Sequence, residues 1–173
     1  MWDILIKENI LEGITNMLQL YTPKFEDMTF RQKLLSDSET MTYNQKWGGT
    51  IDFSEDMWQD WFDFWIVSHE NKRFYRYLQN SQTGEFVGEI AYHLDEEREV
   101  YIADVIVLAK YRGKGFGREG LKLLCNSARE NGIKILYDDI AIDNSAIALF
   151  LKNGFYEEYR TEDYIMLRKD LLK

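Results

Sequence analysis

The spacing of apolar residues changes from segment to segment along the chain, and the changes mark out strands and helices. Met17 to Thr22 reads as a first strand, stopped by Pro23, the single proline. Asp27 is placed to cap a helix running to about Leu35, with Phe30, Leu34 and Leu35 on one side. Ser36 to Phe53 keeps no period and contains Trp47-Gly48-Gly49, so it reads mostly as loop. Ser54, Glu55 and Asp56 open a second helix, on which Trp58, Trp61, Phe62 and Trp65 fall on one broad stripe. A stripe of that kind is core more often than a ligand box.

The period then shortens. Lys72 to Gln79 and Phe86 to Leu94 read as strands around the turn Ser81-Gln82-Thr83-Gly84, and Glu99 to Leu108 as a third. Their short connections predict an antiparallel meander. Arg118 to Arg129 carries Leu121, Leu124, Cys125 and Ala128 at helical spacing and stops at Asn131-Gly132. Ile133 to Ile142 is a strand, Asn144 to Lys152 a short helix closed by Asn153-Gly154, and Phe155 to Arg160 with Tyr164 to Arg168 a closing hairpin.

Composition narrows the class. A chain of 173 residues makes one domain, residues 1–173, and no apolar run approaches the roughly 18 residues a membrane span needs. Met1 to Asn16 is interrupted by Asp3, Lys7, Glu8 and Glu12 and lacks a signal peptide's apolar centre. A single cysteine excludes an internal disulfide framework and metal ligation by cysteine pairs, so the expected setting is a reducing cytoplasm, with no metal site. Cys125, among helix-spaced apolar residues, reads as a small buried side chain rather than a nucleophile.

The net charge of −9 argues against a general nucleic-acid binder. Its distribution is uneven. Between Asp37 and Glu70 stand eight acids against Lys46 alone, whereas Leu108 to Lys134 holds seven bases against Glu119 and Glu130. A solvated helix face accounts for the acidic window as well as an attraction for a cationic ligand does.

The basic window contains the most specific signal, Arg112-Gly113-Lys114-Gly115-Phe116-Gly117. It follows the apolar run Val105 to Leu108 and opens a helix. A strand, a glycine-rich turn and a helix N-terminus make an anion site, because free N–H groups and the positive end of the helix dipole face one concavity. The expected ligand carries phosphate. One frame, Gly115, Gly117 and Gly120 with Asp138 downstream, fits a dinucleotide fingerprint. Against it, only about 50 residues remain for further parallel units, and Asp138 sits mid-strand.

The other frame is Arg/Gln-x-x-Gly-x-Gly, matched by Arg112, Gly115 and Gly117. A second block, Asp143-Asn144-Ser145-Ala146-Ile147-Ala148-Leu149-Phe150-Leu151-Lys152-Asn153-Gly154-Phe155, follows in order. On these two blocks the chain resembles the GNAT superfamily of acetyl-CoA-dependent N-acetyltransferases from Phe86-Val87-Gly88-Glu89 to Leu167. The resemblance implies an α/β (α+β) fold. Its sheet would be mixed and mostly antiparallel, splayed between the fourth and fifth strands, with helices on both faces. It implies acetyl-CoA as co-substrate, with Ile106 and Val107 lending backbone groups to the pantetheine arm. Arg112, Gly113, Lys114, Gly115, Phe116 and Gly117 would hold the pyrophosphate, and Asn144 would contact the cofactor. Phe150 would pack on the pantetheine where the family commonly places a tyrosine that acts as leaving-group acid. Tyr156, Tyr159 and Tyr164 are the candidates to replace it.

Acetyl transfer to an amine requires a neutral nitrogen, so a proton must be removed from a group of pKa near 10. Counted back from Asn144, Asp139 matches the position of a catalytic glutamate in bacterial ribosomal-protein alanine acetyltransferases, so the resemblance implies it as the first candidate base; Asp104 on the preceding strand is the second. A backbone N–H near Val107 is the natural donor to the oxyanion. The acceptor is expected to be a cationic amine: a polyamine, an amino sugar, or a peptide or protein N-terminus. Trp47 is a candidate for its pocket. Glu26-Asp27 and Leu34-Leu35-Ser36-Asp37 resemble the ribosomal-protein acetyltransferase-like group. No nucleic-acid or membrane partner is expected; the family often pairs subunits, which leaves a homodimer open, and the sequence does not give the oligomeric state. A non-catalytic acyl-CoA sensor and a nucleotide-dependent oxidoreductase remain the alternatives.

Overall fold

The computed structural model describes residues 16–172; residues 1–15, most of the segment read above for a signal peptide, lie outside the described residues. Strands β1 (Leu18–Tyr21), β2 (Arg73–Asn80), β3 (Phe86–Asp95) and β4 (Val100–Val107) run antiparallel, each to the next. Helix α3 (Phe116–Glu130) then crosses over to β5 (Ile135–Ala141), which pairs parallel with β4. The final hairpin, β6 (Tyr156–Arg160) and β7 (Tyr164–Asp170), docks through its second strand, so the sheet order is β1-β2-β3-β4-β5-β7-β6. Helix α4 (Ile147–Lys152) joins β5 to β6.

Helices cover both faces. On one, Leu121, Leu124 and Ala128 of α3 and Phe150 of α4 pack on Leu78, Val87, Ile90, Leu136 and Leu167 of the sheet. Leu121 and Leu124 have no exposed surface, and truncating either to Ala is worth roughly 2–5 kcal/mol. On the other face, α1 (Met28–Ser36) and α2 (Glu55–Phe62) bring Met28, Leu35 and Trp58 onto Tyr75, Tyr77 and Ala91. Among the described residues no helix is long and apolar enough to cross a membrane.

Local chemistry departs from the sequence reading in four places. Asp27 does not cap α1: its carboxylate turns back to accept the Lys24 N–H at 2.8 Å and the Tyr21 hydroxyl at 2.9 Å. The segment read as loop contains a 3-10 helix, Thr40–Trp47, whose three-residue repeat leaves no 3.6-residue period to detect. Helix α3 begins at Phe116, inside the glycine turn rather than after it. Helix α4 begins at Ile147, because the Asn144 side chain accepts the Ala146 N–H at 2.8 Å and closes a turn of its own.

The sheet opens between β4 and β5. Their ladder has one bridge, Ile102 opposite Tyr137, and from Ala103 onward β4 has no β5 partner. Gly88 on β3 lies opposite Val107, and a Cβ at Gly88 would land on the carbonyl oxygen of Ile106. A Cβ stands off the sheet plane, so this carbonyl has swung out of the ladder, and only glycine leaves room for it. Gly88→Ala is therefore expected to cost about 1–3 kcal/mol of stability by overpacking. Chemical denaturation would measure it, together with weakened coenzyme A binding as β4 straightens.

Candidate active site

The glycine turn builds its anion site from backbone. Gly113 and Gly115 have φ of 74° and 89°, which side-chain-bearing residues rarely adopt. They turn the chain so that α3 begins at once, with no side chain capping it. Among the described residues, no acceptor meets the N–H groups of Gly113 through Arg118; the first one paired is that of Glu119, to the Gly115 carbonyl at 3.1 Å. Successive unpaired donors at a helix N-terminus suit a diphosphate. Gly120 instead faces the sheet, where a Cβ would lie 2.8 Å from Leu78 Cδ1, so the dinucleotide frame has no role for it.

From this turn a cleft of about 1210 Å³ runs along the open edge of β4 and through the gap to the other face. Val105, Ile106 and Val107 form one wall, and Ala141, Asn144 and Phe150 the opposite one. Among the described residues the Asn144 side chain is bonded through its oxygen, to the Ala146 N–H, and its amide nitrogen meets no acceptor. Phe150 is 3 % exposed and packs edge-on to Phe155 at 5.0 Å between ring centres. The unpaired peptide groups of β4 and the anion turn lie on one continuous surface, as coenzyme A with its amide-bearing arm and pyrophosphate requires. Among the described residues, no cluster of three or more His, Cys, Asp or Glu side chains is arranged to hold a metal.

The far end of the cleft is aromatic and acidic. Arg31 of α1 donates from Nη1 to Glu89 Oε1 and, at 3.1 Å, to the Tyr75 hydroxyl, which itself donates to Glu89 Oε2. The guanidinium lies 4.5 Å from the Trp61 ring centre, and Trp61 stacks with Trp65 at 6.1 Å. Burial opposes the charge on Arg31, but Glu89 and Tyr75 outweigh it and hold the guanidinium firmly protonated. Trp65 is placed by a π turn, Asp63–Val67, that continues α2 and is closed by the Ser68 N–H on the Asp63 carbonyl at 2.7 Å. The aromatic stripe thus divides: Trp58 is core, while Trp61 and Trp65 also face the cleft.

Three carboxylates converge where β4 and β5 part. Asp104 stands on the face covered by α1 and α2, its register partner on β3 being Ala91. More than half of its side-chain surface is open to the cleft, at 54 %, although cleft walls enclose it. That enclosure, with Glu89 and Asp139 nearby, raises its pKa to about 7, against the pull of Arg31. Asp138, on the opposite face of β5, is pushed well above the usual carboxylate range by burial, then by Asp104 and Asp139. Asp139 accepts from Arg98 Nη2 at 2.9 Å, and Arg98 also grips Asp95. No Lys or Arg among the described residues reaches Asp104; only His93 Nδ1 approaches, at 3.8 Å.

The 3-10 helix roofs the cleft. Thr40 is completely buried, and its hydroxyl accepts the Ala109 N–H at 2.9 Å and donates to Asp37. Arg112 donates from Nη2 to the Thr40 carbonyl at 2.6 Å and from Nη1 to the Glu39 carbonyl at 3.2 Å. Two of its nitrogens therefore brace the roof, a use the expected phosphate contact did not include. At the other end, Lys46 reaches across to Asp163 at 2.7 Å, and Trp47 lines the cleft with 53 % of its surface exposed.

The cleft collects Ile106, Val107, Arg112, Gly113, Gly115, Gly117, Asn144, Phe150, Asp104, Asp139 and Trp47. Phe116 and Lys114 do not join as side chains. Phe116 is 6 % exposed in the core, and the Lys114 ammonium sits 5.5 Å from the Tyr111 ring centre, so each offers only its backbone N–H. Of the three tyrosines considered for Phe150's missing hydroxyl, only Tyr164 lines the cleft; Tyr156 is bonded to Asp170. None of the eight acids between Asp37 and Glu70 lines it; the acids that do include Glu89, Asp104, Asp138 and Asp139 of the strands. Glu89, Arg31 and Tyr75 were not foreseen. Glu89 stood at the edge of the resembling block, but nothing in its spacing announced a buried partner.

The raised pKa of Asp104 carries a stability signature. Between about pH 4 and pH 7 the folded chain keeps a proton that the unfolded chain releases, so stability falls as pH rises through that window. Asp104→Asn removes the effect: its melting temperature relative to wild type should climb from pH 4 to pH 8. A constant difference across that range would show that Asp104 titrates normally.

The Acetyltransferase (GNAT) family profile matches residues 31–155. No curated protein sequence gives a significant match. Among solved structures, the spermidine N-acetyltransferase of Vibrio cholerae, in complex with CoA and spermine, superposes with TM-score 0.72 at 18 % identity, covering 92 % of this chain and 100 % of that one. A GNAT-family acetyltransferase from Bacillus anthracis gives 0.72 at 17 % identity, covering 91 % and 96 %. The PaiA N-acetyltransferase of Thermoplasma acidophilum, in complex with coenzyme A, gives 0.66 at 17 % identity, covering 88 % and 98 %. With the family match spanning most of its length and the splayed sheet in place, the chain belongs to the GNAT acetyltransferase family.

Proposed function

We propose that the protein acetylates the primary amine of a small cationic molecule of the polyamine kind, with Asp104 taking the amine's proton. Family membership makes acetyl-CoA the co-substrate, and when bound it supplies an activated acetyl group as a thioester. The unpaired N–H groups of Gly113 to Arg118 would hold its pyrophosphate, and the open edge at Ile106 and Val107 its amide-bearing arm. The observation that carries the acceptor assignment is the cluster of Asp104, Asp138 and Asp139 in one aromatic-walled cleft. Three carboxylates so close resist joint ionisation, and a bound ammonium relieves them. That a Vibrio cholerae relative in fold holds spermine together with CoA supports the same class of acceptor.

An alkyl ammonium has a pKa near 10 and must lose a proton before it can attack. Asp104, with a pKa of about 7 and no Lys or Arg partner, is poised to take it near neutrality. Asp139 is committed to Arg98, and its charge helps keep the proton affinity of Asp104 high. The Val107 N–H would donate to the carbonyl oxygen as it gains charge. Tyr164, kept protonated by its contact with Tyr159, is the candidate donor to the departing thiolate.

A thiol-release screen over polyamines, amino sugars and peptide N-termini tests the acceptor class. Polyamines should turn over with the lowest Michaelis constants; a preference for peptides would overturn the assignment. Titration calorimetry should show binding of CoA and not of NAD. Tight CoA binding without thiol release for any amine would favour the sensor.

The pH dependence of kcat tests the base. Wild type should lose activity below an apparent pKa near 7, and Asp104→Asn should lower kcat by roughly 10²–10⁴-fold and erase that limb. Asp139→Asn should keep the limb with a displaced midpoint. The assignment moves to Asp139 if only the second variant loses it.

A further inference from the structure

Asp104 lies inside a cleft that bound substrates would fill, so a proton it accepts needs a way out. His93 on β3 stands at that point. Its Nδ1 is buried, has no hydrogen-bond partner among the described residues and lies 3.8 Å from Asp104 Oδ2. The side chain is nonetheless 37 % exposed, so the rest of the ring reaches solvent. Trp65 fixes the ring edge-on at 5.9 Å between centres. One polar atom faces the cleft acid while the remainder faces water, and the gap is one that a small side-chain rotation or a single water closes.

We propose that His93 is the proton exit of the active site, taking the proton from Asp104 on Nδ1 and passing it to solvent. The inference rests on Asp104 acting as the base. In the first step the ammonium N–H bond breaks and an O–H bond forms on Asp104, the electron pair staying on the amine nitrogen. In the second, that O–H bond breaks as an N–H bond forms on His93 Nδ1, and Asp104 is again a carboxylate. The imidazolium then loses a proton to water, and exchange with water restores the tautomer with bare Nδ1.

The surroundings suit a transient carrier. Burial lowers the His93 pKa, and the charges facing it balance in kind: Asp95 on its own strand and Asp139 on β5, Arg73 opposite on β2 and Arg98 from the β3–β4 turn. Asp104, at about 7, lies above it, so the proton rests on the carboxyl and visits the imidazole only in passing. No fixed partner traps it there.

The chain has only two histidines, His69 and His93, so imidazole nitrogen NMR on the full chain resolves them, with His69→Gln as the assignment control. At pH 8, His93 should carry its proton on Nε2, and its signals should show an inflection near pH 7 that disappears in Asp104→Asn. In kinetics, His93→Ala should lower kcat at low buffer concentration by about tenfold or more, with both Michaelis constants unchanged, and added imidazole should restore it. A proton on Nδ1, signals blind to Asp104→Asn, or an undiminished kcat in His93→Ala would each overturn the proposal. An Asp104→Asn enzyme with wild-type kcat would remove its foundation, and is recognisable apart from these because the histidine variant is not involved.

Discussion

Everything at the cleft depends on two strands that part after one bridge. A parallel pair in a sheet normally satisfies its backbone by running together, and leaving peptide groups open costs free energy unless water or a ligand meets them. Here β4 separates from β5 after Ile102 and Tyr137, and the open edge becomes a surface that an amide-bearing ligand can pair with. The gap also joins the two faces of the sheet. The anion turn at Gly113 to Gly117 lies along one side and the acidic, aromatic chamber at the other end, so both open onto the split.

Electrostatics divides along the same line. The glycine turn presents backbone dipoles, with few side-chain charges facing the cleft. The aromatic chamber buries an ion pair, Arg31 with Glu89, whose side chains are 16 % and 6 % exposed. Such a pair adds little net stability, but losing one partner strands the other at a cost of roughly 3–5 kcal/mol. It therefore fixes the shape of the chamber: Arg31 holds Trp61, and Trp61 holds Trp65. Among the described residues Asp104 and Asp138 have no fixed cation, and both are pushed up; Asp104, facing Glu89 and Asp139, reaches about 7.

Legibility followed range in sequence. Strand and helix positions were readable because alternating and helical periods are local, and the glycine turn because its constraint falls on adjacent residues. The misreadings occurred where a partner outside the local rule competed with it, whether near in sequence or far. Asp27 looked like a helix cap, yet the Lys24 N–H and Tyr21 hydroxyl claimed its carboxylate. Arg112 looked like a phosphate ligand, yet it also bonds carbonyls more than 70 positions away. The aromatic stripe looked like plain core, but only the location of the open gap decides which of its rings face a ligand.

The sequence by itself determined the order of elements, the anion turn at Arg112 to Gly117, the second block from Asp143 to Phe155 and, through them, the family. These are properties of neighbouring residues, and neighbours are fixed by covalent connection. Tertiary structure alone decided which acids matter. Eight acids crowded between Asp37 and Glu70 stay outside the cleft, while Glu89, Asp104, Asp138 and Asp139, scattered over three strands, meet inside it. A carboxylate's proton affinity depends on the dielectric and charges within a few ångströms, and those neighbours come from strand pairing and the splay, which no local period records.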